Sequence, residues 1–328
     1  MQYRALLVKQ EQSACKASLC QRTASPIAAN DVLIEVHYSS INYKDALAVC
    51  GRPGVMRHYP MVGGIDAAGV VVESASKLFK AGDSVVVTGY GLSQTHDGGY
   101  AEYLCVPAAW VVPLPPGLSL YEAMILGTAG YTAALSIQRL QDNGQQPGMG
   151  PLVVTGATGG VGSCAINMLS GIGYEVIALS GKHDKQAYLR KLGAAECLDR
   201  TAVHVPDKPL ARATWGGAID SLGGEVLSWL LSTVRPYGNI ATCGLALDSD
   251  LSTTVMPFIL RGVSLLGIAS AESAMPLRMK IWHRLAEELK PRDLEDMVTA
   301  LVPLDEVVHV AESMLAGKTS GRYVVQIK

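Results

Sequence analysis

The sequence predicts an α/β protein in two parts, a β-rich domain and a doubly wound parallel sheet. Three observations predict it. Leu152-Val153-Val154 is a short apolar run of the kind found in a parallel strand buried on both faces, and it runs straight into a glycine-rich turn. From there to about residue 268, strand-like and helix-like patterns alternate, as a doubly wound sheet requires. Residues 1–123 instead carry short strand patterns separated by Gly, Pro and Asp. At 328 residues and 49% hydrophobic, the chain can fill two cores.

In the first part, Val32, Ile34, Val36 and Tyr38 alternate with Leu33, Glu35, His37 and Ser39, the period of a half-buried strand. Further strands are expected at Ala5–Val8, Ala68–Glu73, Ser84–Thr88, Ala101–Val106 and Trp110–Pro113, forming a barrel-like or partly open sheet. The period becomes helical over Tyr121–Leu140, and a loop over Asp142–Pro151 leads to the glycine turn. A helix is expected from Ser163 to Leu169, a strand at Glu175–Leu179, a helix at Asp184–Leu192 and a strand at Glu196–Leu198. A loop with Pro206 and Pro209 precedes a strand at Ala218–Leu222 and a helix at Gly224–Val234. Strands at Asn239–Cys243 and Val263–Ile268 follow. Leu277, Ile281, Leu285 and Leu289 recur every four residues on an amphipathic helix. Asp305 is placed to cap a last helix bearing Val307, Val308, Ala311, Met314 and Leu315, which Gly317 ends. Tyr323–Ile327 closes the chain as a strand.

Ala157-Thr158-Gly159-Gly160-Val161-Gly162 has the spacing of the dinucleotide fingerprint, with Ala at its first position. Gly159 lets backbone approach a pyrophosphate, which would rest on N–H groups at the helix N-terminus, and Gly162 lets helix and strand pack closely. The strand–turn–helix–strand order around it completes a βαβ unit of about 30 residues.

Bulk properties exclude several classes. A net charge of −2 gives no basic field for nucleic acid or an anionic membrane. Apolar runs stay short of the ~18 residues needed to span a bilayer. Ala5–Val8 is too short for a signal-peptide core. Seven dispersed cysteines without a C-x-x-C pair suit free thiols in a reducing compartment, so a cytoplasmic protein is expected. Cys164, Cys197 and Cys243 read as small buried hydrophobes.

Six blocks now stand in order: Ser40–Leu47 (Ser-Ile-Asn-Tyr-Lys-Asp-Ala-Leu), Gly64–Gly69, Gly127–Ala133, Ser180-Gly181-Lys182, Thr253–Arg261 and Gly321-Arg322. With the β-rich start and the fingerprint, they make the whole chain resemble the medium-chain dehydrogenase/reductase superfamily. Within it the chain resembles the acrylyl-CoA reductase (NADPH) group, also called the YhdH/YhfP-type quinone oxidoreductases. The resemblance implies a GroES-like catalytic domain over 1–123, a Rossmann domain over 124–271, and a return to the catalytic domain over 272–328. It also implies an active cleft between the domains and a homodimer.

Zinc enzymes of the superfamily place a Cys where this chain has Asn42, a His-Glu pair where it has Ile65-Asp66, and four cysteines near 90–100. Gly89–Gly99 here contains no Cys, and His37, His58 and His96 stand isolated. No metal is expected. Without a Lewis acid, reduction of an activated C=C bond is the easier chemistry: hydride adds to the β-carbon and hydrogen bonds hold the enolate. NAD-preferring Rossmann sites carry an acid after the second strand. Ser180, Gly181 and Lys182 occupy that place, and with Arg200 they suit the 2′-phosphate of NADPH. Asp184 is assigned to capping the next helix.

By resemblance Asn42, Tyr43 and Asp45 leave a strand together and face the nicotinamide. Tyr43 is the first candidate to hold the enolate oxygen or relay the proton, Asn42 to hydrogen-bond cofactor or thioester, and Asp45 to fix the loop or take part in the chemistry. Lys44 is expected to point to solvent. Thr128 and Thr132 are expected either to line the cofactor cleft or to pack. Leu245 and Ser270 follow consecutive Rossmann strands, at the ends where such sheets bind ligands. Phe258 and Ile259 would cover the ring. Arg322, Arg52 and Arg57 are candidates for CoA or cofactor phosphate. The resemblance implies a short-chain enoyl-CoA as substrate, acrylyl-CoA first, with a quinone or free enone as alternative. A zeta-crystallin-like structural or RNA-binding protein that holds NADPH is the alternative from another class, and the missing basic surplus weighs against RNA.

Overall fold

A computed structural model describes residues 1–11, 14–205 and 207–328; Pro206, expected in a loop, lies outside them. The first stretch forms β1 (Gln2–Glu11), β2 (Ala14–Thr23), β3 (Asp31–Ser40), α1 (Tyr43–Val49), β4 (Met61–Val62), β5 (Asp66–Ser74), β6 (Ser84–Thr88), β7 (Tyr103–Pro107) and β8 (Val112–Pro113). Helix α2 (Leu120–Asp142) leads to β9 (Leu152–Thr155), α3 (Gly160–Gly171), β10 (Val176–Ser180), α4 (Gln186–Lys191) and β11 (Glu196–Asp199). Next come β12 (Trp215–Asp220), α5 (Gly224–Thr233), β13 (Val234–Thr242), α6 (Met256–Arg261) and β14 (Ser264–Gly267). The last elements are α7 (Met275–Ala286), β15 (Val298–Pro303), α8 (Val307–Leu315) and β16 (Arg322–Gln326). No helix of the described residues is long and apolar enough to cross a membrane.

The chain divides into two compact units. The first is Met1–Thr128 with Ala271–Ala286 and Leu294–Lys328; the second is Ala129–Ser270 with Glu287–Asp293. The first unit holds a three-stranded sheet in the order β2-β1-β4 and a seven-stranded sheet in the order β15-β16-β3-β5-β6-β8, with β7 also paired to β3. Val32, Ile34 and Val36 of β3 are fully buried in its core, with Ala46 of α1 and Val307 and Ala311 of α8. Truncating one such large side chain to Ala typically costs ~2–5 kcal/mol.

Strands β2, β4 and β15 were not expected from the sequence. In β2 the residues packed on the core are Cys15, Ala17 and Cys20, too small to give a clear hydrophobic period. In β15 only Val302 is buried, so its inner face leaves little signal. Of the expected strand at Trp110–Pro113, Val112–Pro113 forms β8, while Trp110 ends a one-turn 3-10 segment, Ala108–Trp110.

The second unit is a six-stranded parallel sheet in the order β11-β10-β9-β12-β13-β14. The order reverses between β9 and β12, and ligands of such sheets bind beyond the strand ends at that switch point. All four residues of β9 are buried, which is what the apolar run encodes. Of the three cysteines expected to be buried, Cys164 is, whereas Cys197 and Cys243 are half-buried.

Two caps differ from expectation. Asp184 lies inside a 3-10 turn, His183–Lys185, with Lys182 and Lys185 at the cap positions of the turn and of α4. Asp305 lies inside a second such turn, and Glu306 precedes α8. In both places the extra turn moves the helix start beyond the acid. Gly317, with φ at +71°, follows the end of α8 as expected.

Candidate active site

The first unit carries a buried polar cluster at the start of α1. Asn42, Tyr43 and Asp45 do not leave as a loop: Asn42 caps α1 and Tyr43 is its first residue. Helical geometry then splits them, turning Asp45 inward to full burial and leaving Tyr43 47% exposed. Asp45 Oδ2 accepts from the Asn42 backbone N–H at 3.0 Å, one half of a capping box. Asp45 Oδ1 accepts from Ile65 N–H at 2.8 Å.

Beside it lies Asp66, buried at the start of β5. Asp66 accepts from Ser40 Oγ at 2.5 Å, Asn42 Nδ2 at 2.7 Å, Thr128 N at 2.9 Å and Thr128 Oγ1 at 2.5 Å. Asn42 Nδ2 also reaches Asp45 Oδ2 at 3.1 Å. With its amide nitrogen on two carboxylates, Asn42 turns Oδ1 to accept from Arg322 Nη1 at 3.1 Å. Burial, and then the neighbouring Asp66, push the Asp45 carboxyl up to about 7. Tyr100 donates to the Ser40 carbonyl at 3.0 Å, and burial raises its phenol well above the usual range.

Three expectations change here. Arg322, expected to meet phosphate, is only 2% exposed; Nε donates to the Ile125 carbonyl at 2.6 Å and Nη1 to Asn42. Its place on β16, inside the seven-stranded sheet, takes it out of solvent. Thr128 gives both its N–H and its hydroxyl to Asp66. Lys44 does not extend into solvent: it is half-buried and Nζ donates to Gln94 Oε1 at 3.1 Å. Arg57 is exposed, and its backbone N–H donates to the Gln94 carbonyl at 2.8 Å. Arg52 is exposed too and lines a hollow of about 340 Å³ with Cys50, Glu312, Leu315 and Ala316.

In the second unit the fingerprint turn joins β9 to α3, with Gly159 at the helix N-cap. A Cβ on Gly162 would lie 2.5 Å from the Gly156 carbonyl and 2.7 Å from Ala157 Cα, so only glycine permits this approach. A Cβ on Gly159 would meet only the Gly156 carbonyl, at 3.2 Å, leaving the outer side of the turn open. Thr158 is 6% exposed beside half-buried Gly160 and Val161. This backbone fits a dinucleotide pyrophosphate.

Ser180 ends β10 directly opposite Asp199 of β11. Ser180 Oγ accepts from Lys182 N–H at 3.0 Å, and the Arg200 guanidinium lies over Gly181, 3.5 Å from where its Cβ would be. Burial lowers the Lys182 ammonium, with Asp184 opposing. The sequence reading missed Asp199 as a nearby acid. That carboxylate accepts from Thr201 N–H at 2.8 Å, pairs with His183 at 3.5 Å and is held below the usual range by these bonds.

Thr132 Oγ1 donates to Ser270 Oγ at 2.8 Å. Leu245 and Ile259 are 66% and 72% exposed, while Phe258, expected over the ring, packs against the sheet's core. Asp66 could have been found earlier: an acid inside the apolar run Ile65-Asp66-Ala67-Ala68 is already anomalous, because unpaired acids are rarely buried. Among the described residues no group of three or more His, Cys, Asp or Glu side chains could hold a metal ion.

Comparison with known proteins places this geometry. A family model described as Alcohol dehydrogenase GroES-like domain matches residues 28–116, and one described as Zinc-binding dehydrogenase matches 160–286. The chain is 44% identical, over 97% of both chains, to the Bacillus subtilis protein named Putative quinone oxidoreductase YhfP. A crystal structure of that protein with NAD bound superposes with a TM-score of 0.97 over 100% of both chains. Identity is 39%, over 99% of both chains, to Acrylyl-CoA reductase AcuI of Ruegeria pomeroyi. The crystal structure of Escherichia coli K-12 YhdH with bound NADPH is 41% identical, with a TM-score of 0.95, covering 99% of this chain and 100% of that one. The chain thus belongs to the medium-chain dehydrogenase/reductase superfamily, as an oxidoreductase of the group that holds YhfP, YhdH and AcuI.

Proposed function

We propose that the protein reduces the C=C bond of a short α,β-unsaturated thioester with NADPH, acrylyl-CoA to propionyl-CoA first, without zinc. The full-length likeness to the Ruegeria reductase carries the choice of substrate. The bound cofactor supplies a hydride. Thr158–Gly162 holds its pyrophosphate, and Ser180, Lys182 and Arg200 its 2′-phosphate. The buried Asp45–Asn42–Arg322 cluster fixes the start of α1, so that Tyr43 presents its phenol to the acceptor and delivers the proton that completes reduction at the α-carbon. Thr132, Ser270, Leu245 and Ile259 line the cofactor, and Arg52 and Arg57 meet the substrate's phosphates. A quinone is the second reading, favoured by the name of the Bacillus relative.

A homodimer belongs to this proposal. Strand β14 pairs only with β13 among the described strands, and just before it in the chain Val255, at the N-cap of α6, and Leu260, within α6, are 65% and 60% exposed. An open strand edge next to exposed apolar side chains suits twofold pairing with a second copy. Seven cysteines, all free, suit a reducing cytoplasm.

The test compares NADPH oxidation with acrylyl-CoA, crotonyl-CoA and a simple quinone at equal concentration. The expected outcome is at least a tenfold preference for acrylyl-CoA, about 1.4 kcal/mol of transition-state binding. A quinone consumed fastest would reverse the choice of acceptor.

A further inference from the structure

Lys44 sits where three loops of the first unit meet. Its Nζ donates to Gln94 Oε1 at 3.1 Å in the 89–98 loop, and the Gln94 carbonyl takes the Arg57 N–H at 2.8 Å from the 51–60 loop. His58 in that loop also reaches the Thr95 carbonyl at 3.2 Å. The turn before α7 is tied in through Tyr90, whose N–H donates to the Ala271 carbonyl at 2.8 Å. The 89–98 loop holds this place under backbone strain: Tyr90 and Ser93 have φ of +50° and +57°, where side chains other than glycine are rare. Arg278 braces it from α7, its guanidinium 4.3 Å from the Tyr90 ring centroid, and Tyr90 stacks on Trp110 at 5.5 Å. Strain kept by this much support is typical of a functional site.

We propose that Lys44 is a catalytic residue of the reduction, holding the negative charge that develops on the acceptor's carbonyl oxygen beside the proton-delivering Tyr43. This rests on the reading of the chain as a reductase of conjugated carbonyl compounds. In the step, the β-carbon gains a hydride, the C=C electron pair closes a new C=C bond to the carbonyl carbon, and the carbonyl π pair moves onto oxygen. The Lys44 ammonium donates a hydrogen bond to that oxyanion. Collapse of the enolate then takes a proton at the α-carbon from Tyr43, which solvent restores. Oxidised cofactor and saturated carbonyl compound balance the reaction. Lys44 keeps its proton throughout, so its charge is available at the moment it is needed.

The groups facing Lys44 tune this charge. Burial lowers its ammonium most; Asp45 on its own helix and Glu272 before α7 raise it, and Arg57 lowers it again.

The test uses Lys44→Met and Lys44→Arg in the full-length protein, with circular dichroism and NADPH fluorescence to verify fold and cofactor binding. Lys44→Met is expected to lower kcat by about a hundredfold, the usual loss for one oxyanion donor, at unchanged NADPH affinity. Lys44→Arg restores part of it and moves the alkaline limb of the pH profile upward. A second readout needs no turnover: acetoacetyl-CoA bound with NADP⁺ is expected to show the ultraviolet band of its enolate in the wild type and in Lys44→Arg, and to lose it in Lys44→Met. Wild-type turnover with Lys44→Met within threefold of it, an unmoved pH profile and an intact enolate band would overturn the assignment and leave the reductase reading standing. A wild type that neither reduces any conjugated acceptor nor enolises the probe would overturn both.

Discussion

Gly127→Ala tests the buried cluster most directly. Gly127 interrupts α2 with φ +50° and ψ −153°, a conformation almost confined to glycine. A Cβ there would stand 2.5 Å from Asp66 Oδ2, 2.7 Å from Ser40 Oγ and 3.0 Å from Arg322 Nη2. The backbone cost alone is ~1–3 kcal/mol. Moving Asp66 away to an ordinary contact distance breaks at least one of its short bonds, from Ser40 or from Thr128, and a hydrogen bond to a buried charge contributes ~1.5–3 kcal/mol. The expected destabilisation is therefore about 2.5–6 kcal/mol. Gly317→Ala is the control: its φ is +71°, but a Cβ there meets nothing within 4 Å, so only the backbone cost, ~1–2 kcal/mol, applies. At roughly 2–4 °C per kcal/mol for a domain of this size, thermal melts should separate the two variants by several degrees. Equal shifts in Tm would refute the claim that Asp66 and Ser40 leave no room at Gly127.

The remaining predictions concern charge and assembly. Asp45 holds a proton up to about 7 in the folded protein, whereas an unfolded aspartate releases it near ~3.9. The folded state is therefore destabilised as pH rises from ~4 to ~7, by on the order of 4 kcal/mol in all. Asp45→Asn cannot ionise and should flatten this slope in urea titrations at mildly acid and mildly alkaline pH; an unchanged slope would remove Asp45 as its source. Lys182→Ala should raise KM for NADPH about tenfold, the loss of one charge-assisted bond, and leave KM for NADH nearly unchanged, so equal effects would count against the 2′-phosphate assignment. Leu260→Glu should shift sedimentation from dimer to monomer; a dimer that persists would move the interface away from α6.

The fold was legible where one pattern had one physical cause. Leu152–Val154 is apolar because β9 is covered on both faces, and Gly162 is glycine because α3 presses on Ala157. Strand β2 was not legible because Cys15 and Ala17 pack with too little apolar surface to mark a period. In the candidate site, residue types could be read but not directions. Lys44 and Arg322 look like solvated cations in sequence, and only the pairing of β16 with β3 and the meeting of three loops take them out of water. Asp66 was visible as an anomaly, yet its partners Ser40, Asn42 and Thr128 come from separate elements that no local pattern connects.

The hydrogen bond from Arg322 to Asn42 spans 280 positions, and this has a consequence for synthesis. A nascent chain emerging from the ribosome presents Asp45 and Asp66 early, with the guanidinium meant to stand near them still untranslated. The parallel sheet of the second unit, β9 to β14, has all its strands by residue 267 and can close first, since domains tend to fold as units during translation. The first unit must wait, its two acids hydrated or protonated, until β16 arrives and locks the cluster shut. Catalytic competence would then be among the last properties a newly made molecule acquires.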